Sequence, residues 1–73
     1  METIENWRIA YTEDNKPYIL GDVGGTQGIS TSVVERLVEG SLIVTKSKSR
    51  YQLGRPMVWE DFRTLRELFK KNK

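Results

Sequence analysis

The first apolar positions of the chain alternate with polar ones at the period of a β-strand. Trp7, Ile9 and Tyr11 would share one face of such a strand, with Arg8 and Ala10 on the other. The pattern therefore predicts an opening strand with one buried face.

A turn and a second strand are expected next. Segment 12–17 reads Thr-Glu-Asp-Asn-Lys-Pro. Asp and Asn side chains bond their own backbone in turns, and Pro17 fixes φ at the entry to the following segment. We therefore expect an antiparallel strand over 18–23, and the glycine-rich stretch 24–28 predicts a loop.

Segment 32–39 has two interpretations. Ser32 and Glu35 have the spacing of a capping box and Gly40 is a suitable residue after a helix, which together favour a two-turn helix. The β-branched pair Val33 and Val34 and the shortness of the run favour a strand that turns at 39–40. We favour the strand.

Segment 42–53 predicts a β-hairpin. A two-residue turn at 47–48 pairs Leu42 with Leu53 and Val44 with Tyr51, which makes one face apolar. The other face would carry Ile43, Thr45, Arg50 and Gln52. Segment 54–56, Gly-Arg-Pro, then breaks the sheet.

After Pro56 the apolar period changes to that of an α-helix, predicted over 57–71. Its apolar stripe consists of Val58, Phe62, Leu65 and Phe69, with Trp59 and Leu68 at the flanks. The chain is therefore expected to be a single α+β domain over 1–73, with its β-rich part at 4–54. The expected architecture is a small antiparallel β-sheet, or an SH3-like or OB-like barrel, of four to five short strands followed by one C-terminal amphipathic helix.

Composition mainly excludes functions. The 73 residues include no Cys and no His, so the chain has no thiolate nucleophile, no imidazole base and no Cys or His zinc ligand. The paired carboxylates at 13–14 and 60–61 fit a turn and a helix start. We therefore expect no enzyme activity, no catalytic residue and no cofactor or metal.

The sequence also bears on location. No stretch approaches the length of a membrane span, and the acidic segment 1–5 lacks the basic flank of a signal peptide. We therefore expect a cytoplasmic protein that does not contact membranes.

Charge divides the chain into two halves. Residues 1–39 carry seven acidic and three basic side chains, whereas residues 40–73 carry nine basic and three acidic ones, for an overall charge of +2. The basic half suits a polyanion. The alternative is that the two halves neutralise each other across the fold.

Segment 21–26, Gly-Asp-Val-Gly-Gly-Thr, resembles the first phosphate motif of sugar kinases with the actin-like ATPase fold. That resemblance implies backbone contacts to nucleotide phosphates and a carboxylate near magnesium. The family has two large lobes, and 73 residues leave no room for them. The favoured interpretation is a glycine turn between strands, with Asp22 and Thr26 bonding locally.

A second resemblance covers about residues 7–54. Its most specific part is the closing run Thr45-x-Ser47-x-Ser49-x-Tyr51-x-Leu53-Gly. This run is similar to one in a loose group of small bacterial and phage-encoded proteins without an assigned activity, which usually have Gly at the position of Lys48. The resemblance implies a compact β-rich fold and a mobile-element setting.

These observations lead to one main hypothesis. We expect a small non-enzymatic binding protein, such as a phage or prophage accessory factor that inhibits or modulates a host protein, for example a defence component. The expected contact surface is a Ser/Thr-rich ridge with a basic hairpin tip, and its residues are Thr31, Ser32, Thr45, Lys46, Ser47, Lys48, Ser49, Arg50 and Arg55.

Two alternatives remain open at this point. The basic tip (Lys46, Lys48 and Arg50), with Arg55 and the basic side of the C-terminal helix, would also suit a small nucleic-acid-binding barrel. The stripe of Phe62, Leu65 and Phe69 would alternatively form a homo-oligomer interface, since so small a domain gains stability by association.

Overall fold

The computed structural model describes residues 2–39 and 41–70, which form one sheet and one helix. The elements are β1 (Glu2–Tyr11), β2 (Pro17–Val23), β3 (Thr26–Ser30), β4 (Val34–Val38), β5 (Leu42–Thr45), β6 (Arg50–Leu53) and α1 (Glu60–Leu68). The expected α+β arrangement of short strands and a C-terminal helix is confirmed.

The sheet differs from the expected one in three respects. It has six strands rather than four or five, in the order β3-β2-β1-β6-β5-β4. It is open, so a closed SH3-like or OB-like barrel is not confirmed. It is also mixed, because β1 and β6 pair in parallel through Glu2–Tyr51 and Ile4–Leu53 while the other pairs are antiparallel. Pairing between the two ends of the β-rich segment is non-local and leaves no signal in a local pattern.

An irregularity in β1 determines which of its residues enter the core. The register with β2 shifts between Glu5 and Arg8, and Asn6 has φ +51°. This bulge places Ile4 and Trp7, three positions apart, on the same buried face. The expected alternation of Trp7, Ile9 and Tyr11 therefore holds only in part, because Tyr11 is exposed.

The predicted loop over 24–28 is only a two-residue turn. Gly24 and Gly25 have φ values of +53° and +85°, as the tight turns of hairpins require, and β3 begins directly after them at Thr26. A glycine run therefore does not exclude a strand when it lies at the outer edge of a sheet. The predicted turn over 12–17 is confirmed by the hydrogen bond from Thr12 N to Lys16 O (2.9 Å).

Segment 31–33 connects the two outer strands of the sheet. Thr31 N donates to Ile19 O (2.9 Å) at one edge, and Lys46 N donates to Val33 O (2.8 Å) at the other. Four Cα steps separate Ser30 in β3 from Val34 in β4, and they span at most about 15 Å. The open sheet must therefore curl until its two edges approach each other here. The strand interpretation of 32–39 is confirmed by β4.

The β5–β6 hairpin is shifted by one residue from the prediction. Ile43 pairs with Tyr51 and Val44 with Arg50, because the turn contains three residues, 46–48, rather than two. Lys48 takes φ +72° to close this turn. The shift turns Thr45, expected on the outer face, into a fully buried position.

The helix starts later than predicted. Pro56 bridges Trp7, and Met57 N donates to Trp7 O (2.8 Å), so the backbone there still belongs to the sheet. The helix spans Glu60–Leu68 rather than 57–71, and position 71 lies outside the described residues. Val58 is consequently not part of the helical stripe and is exposed.

The core lies between the curled sheet and α1. Its buried side chains are Ile4, Trp7, Ile19, Val34, Ile43, Leu53 and Leu65, with Phe62 and Phe69 packed against them. The Trp7 indole donates to Gly54 O (2.9 Å), so its polar atom is satisfied. Leu65 is fully buried within a single chain, so only Phe62 and Phe69 of the predicted oligomer stripe keep exposed surface. Over the described residues, no helix combines the length and apolar character that a bilayer span needs.

Candidate functional site

Four of the predicted ridge residues meet at the tip of the β5–β6 hairpin. The Ser47 hydroxyl accepts a hydrogen bond from Ser32 Oγ (3.1 Å) and lies 3.0 Å from Thr45 Oγ1 and 3.4 Å from Ser49 Oγ. We call these four residues the hydroxyl cluster. Ser32 comes from the β3–β4 connection, so the curl of the sheet brings it to the hairpin tip.

Two of the predicted contact residues are structural. Thr31 Oγ1 accepts from Ile19 N (3.1 Å) and donates to Ser32 O (2.8 Å), which fixes the connection at the sheet edge. Thr45 is fully buried, and its hydroxyl accepts from Ser49 N (3.3 Å) within the hairpin turn. Both position the hydroxyl cluster, whereas Ser32 and Ser47 are its exposed members.

The cations of the tip have acidic neighbours. Lys48 Nζ forms an ion pair with Glu35 Oε1 at 3.1 Å. The pKa of Asp14 is lowered from its usual value, first by the hydrogen bond from Thr12 Oγ1 (2.6 Å) and its own backbone N–H, and to a smaller extent by Lys16 and Lys46. Acidic and basic side chains therefore lie together here, and the tip has mixed charge.

Arg50 and Arg55 are not neighbours. Arg50 begins β6 at the hairpin tip, whereas Arg55 follows its far end. There the backbone N of Arg55 donates to Glu5 Oε1 (3.0 Å), beside the start of β1. Both side chains are exposed, but Arg55 does not extend the basic tip as the sequence hypothesis requires.

An apolar hollow of about 330 Å³ lies beside the hydroxyl cluster. Pro17, Val33, Val34, Leu68 and Phe69 form its walls. The charged residues at this hollow are Lys16, Glu35 and Lys46. The hydroxyl cluster, the apolar hollow and these three residues together are called the tip end. Sequence reasoning missed the hollow, because its walls come from three separate segments.

A larger groove of about 1060 Å³ lies at the other end of the β4–β5 hairpin, between α1 and the residues Glu39 and Ser41. Met57, Val58 and Trp59 precede α1 and are exposed by 59%, 50% and 74%. We call these three residues and the groove the Trp59 face. The sequence indicated Trp59 only as a flank of the helical stripe, and the late helix start is what exposes it.

The Asp22 carboxylate bonds to the neighbouring strands and not within the glycine turn. Asp22 accepts hydrogen bonds from Asn6 Nδ2 (3.2 Å) and from Gly28 N (3.3 Å), so its carboxylate fastens the bulges of neighbouring strands. Within residues 2–39 and 41–70, no group of three or more acidic, His or Cys side chains is placed to hold a metal ion.

Comparisons with known proteins add no assignment. No protein-family model matches the chain, and no curated protein or solved structure matches it. The resemblance to small bacterial and phage-encoded proteins therefore stays a prediction.

Proposed function

We propose that this chain is a small binding protein that holds a protein partner at its tip end. The observation that carries the proposal is an apolar hollow adjoining a fixed cluster of hydroxyl groups. Protein interfaces combine these two features, a desolvated apolar centre and a polar rim.

The hollow suits one large apolar side chain of the partner. Its volume of about 330 Å³ lies near the lower bound of typical ligand cavities, which is about 300 Å³. Interface energy concentrates where a single side chain fills such a hollow and excludes water. Leu68, which is partly exposed at its wall, would lose its remaining contact with solvent in the complex.

The hydroxyl cluster provides the polar rim. Its members already bond one another and the hairpin backbone, so binding would order few additional side chains. Less conformational entropy is then lost on association. Ser32 and Ser47 are exposed, and a hydroxyl both donates and accepts hydrogen bonds, which suits backbone groups of a partner.

Charge favours a protein over nucleic acid. A nucleic-acid surface gains affinity from cations that neutralise phosphates. Here Lys48 is paired with Glu35, and Glu35 and Lys46 both line the apolar hollow. A partner protein with charges of both signs matches this tip better than a polyanion does. That the partner is a host protein inhibited by a phage-encoded factor is supported by the sequence resemblance alone.

The test compares capture of a partner by the tagged chain and by Leu68→Glu after nuclease treatment. The substitution places a charge in the wall of the apolar hollow, so we expect the stoichiometric partner to be lost. The matched control is Met57→Glu, an exposed apolar position at the other end, which should retain the partner. The purified partner is then titrated calorimetrically against all three proteins.

Two results would overturn the proposal. One is a partner that binds Leu68→Glu as tightly as the unaltered chain. The other is recovery of nucleic acid alone, released steeply as salt rises and lost when Lys46, Lys48 and Arg50 are replaced together by Ala. That second result would establish the nucleic-acid-binding alternative.

A further inference from the structure

The Trp59 face combines the most exposed tryptophan of the chain with a groove directly beside it. Met57, Val58 and Trp59 are consecutive and at least half exposed. Single exposed apolar residues are ordinary on protein surfaces, but contiguous ones next to a groove mark interaction sites. Trp and Met are also enriched at protein interfaces.

The Trp59 ring is held in place from below. It meets Phe62 edge-on, with ring centroids 5.5 Å apart, and Phe62 in turn meets the buried Trp7 edge-on at 5.6 Å. Three aromatic rings thus run from the core to the surface. A ring supported in this way loses little freedom on binding, which favours association.

We propose that the Trp59 face is covered by a second copy of this chain, in a two-fold symmetric dimer. The exposed Trp59 is itself a wall of the groove that would receive Trp59 of the other copy. A two-fold axis through that face inserts each Trp59 into the groove of the other copy, so one contact is made twice. The groove offers it the apolar side chains of Leu37, Phe62 and Phe69.

The charges of the face fit this occupant. In a two-fold interface a surface meets a copy of itself, so a surface of one sign would repel its partner. The charged residues lining the groove balance, three acidic against three basic: Glu39, Glu60, Glu67, Arg63, Arg66 and Lys70. Acidic and basic groups can therefore meet across the axis.

A dimer interface would take a sizeable share of this small surface. A stable interface buries about 800 Å² of each partner. That is about 15% of the 5290 Å² surface of this chain. One indole alone contributes ~150–250 Å². Because a domain of this length has a small core, association would also raise its stability.

The proposed dimer uses the Trp59 face and the proposed function uses the tip end, so separate substitutions test the two proposals. Trp59→Glu should weaken dimerisation and leave partner binding at the tip end intact. Leu68→Glu should abolish partner binding and leave the dimer intact. A dimer with two tip ends would also bind a bivalent partner more tightly than the monomeric variant does.

The test is sedimentation equilibrium of the full chain across the micromolar to millimolar range. We expect the mass to rise from the monomer value of 8.5 kDa to twice that value. Trp59→Glu should raise the dimer dissociation constant at least about tenfold, the equivalent of ~1.4 kcal/mol. The matched control, Tyr11→Glu, alters another half-exposed aromatic residue and should leave the constant unchanged.

Circular dichroism checks that each variant is folded, which the exposure of both positions predicts. A monomer at every concentration would overturn the proposal, as would a dimer that persists unchanged in Trp59→Glu. Tryptophan fluorescence gives a second readout. Trp7 is already buried, so a concentration-dependent blue shift must come from Trp59.

Discussion

The two ends of this molecule present opposite surfaces. At the tip end, polar side chains are bonded to one another, and Lys48 is paired with Glu35. At the Trp59 face, three consecutive apolar side chains remain in water. Hydroxyl groups that are already hydrogen-bonded gain little free energy from a ligand. Exposed apolar side chains gain free energy when a partner covers them. At the tip end, it is the apolar hollow that would gain free energy in this way when a partner covers it.

Helix α1 connects the two ends. Phe69, directly after the helix, lines both the apolar hollow and the groove of the Trp59 face. Leu65, within the helix, is fully buried. The helix therefore contributes walls to both candidate sites while its middle belongs to the core. The comparison between the ends depends on this helix staying docked.

The helix that supports both ends depends on one fully buried side chain. Leu65→Ala removes a fully buried side chain from the core and should lower the free energy of unfolding by about 2–5 kcal/mol. Urea denaturation followed by circular dichroism measures the change. Thr64→Ala, an exposed position one residue away, should change it by less than about 0.5 kcal/mol.

Both partner capture and dimerisation should weaken together in Leu65→Ala, since each end uses helix residues. A loss below about 1 kcal/mol would contradict the burial of Leu65 and the account of the helix as a common support.

A second prediction concerns the support of the tip end alone. Thr45→Val keeps the shape of a buried side chain but leaves Ser49 N and Ser47 Oγ without their hydroxyl partner. We expect a loss of about 1–3 kcal/mol in the free energy of unfolding, from the same urea experiment. Ser47→Ala, at the exposed centre of the hydroxyl cluster, should cost less than about 0.5 kcal/mol.

Equal losses for Thr45→Val and Ser47→Ala would mean that the hydroxyl cluster acts as one unit. The distinction between a structural Thr45 and an exposed contact residue Ser47 would then be wrong. The dimer dissociation constant should not change in either variant, because both positions lie at the tip end.

Local sequence signals predicted the elements better than their arrangement. The turn at 12–17, the strand at 34–38 and the C-terminal helix each follow from residues that are close in sequence. The parallel pairing of β1 with β6 does not, since it joins segments almost fifty residues apart. The bulge at Asn6 was equally hidden, because it arises where β1 must bury both Ile4 and Trp7 against β2.

The candidate sites divide in the same way. Ser32, Ser47 and Ser49 were indicated by sequence and do meet at the tip. The apolar hollow needs Pro17, Val33 and Leu68 from three separate segments, so only the curl of the sheet reveals it. The Trp59 face is exposed because Met57 N bonds to Trp7 O, so that the helix begins only at Glu60. The helical periodicity of the sequence does not indicate this bond.

The smallest expected effect concerns the hairpin turn. Lys48 adopts φ +72°, a conformation that glycine reaches without steric cost, and glycine is usual there in the group that the sequence resembles. Lys48→Gly removes an exposed ion pair worth about 0–1 kcal/mol. We expect the free energy of unfolding to stay unchanged or to rise by up to about 1 kcal/mol.

The urea experiment applied to Thr45→Val also measures Lys48→Gly. A loss above about 1 kcal/mol would show that the pair with Glu35 holds the tip more firmly than an exposed ion pair should. Partner capture by the same variant is a second readout, because Lys48 lies at the hairpin tip and does not line the apolar hollow.

We expect the two ends to have separate occupants, with self-association confined to the Trp59 face. A dilution series of backbone amide NMR spectra shows which end changes when the chain associates with itself. We predict that amide shifts change with concentration at Leu37, Glu39, Ser41 and 57–63, which belong to the Trp59 face, and stay constant at 31–34 and 45–49. Concentration-dependent shifts at the tip end, or none at the Trp59 face, would contradict the account.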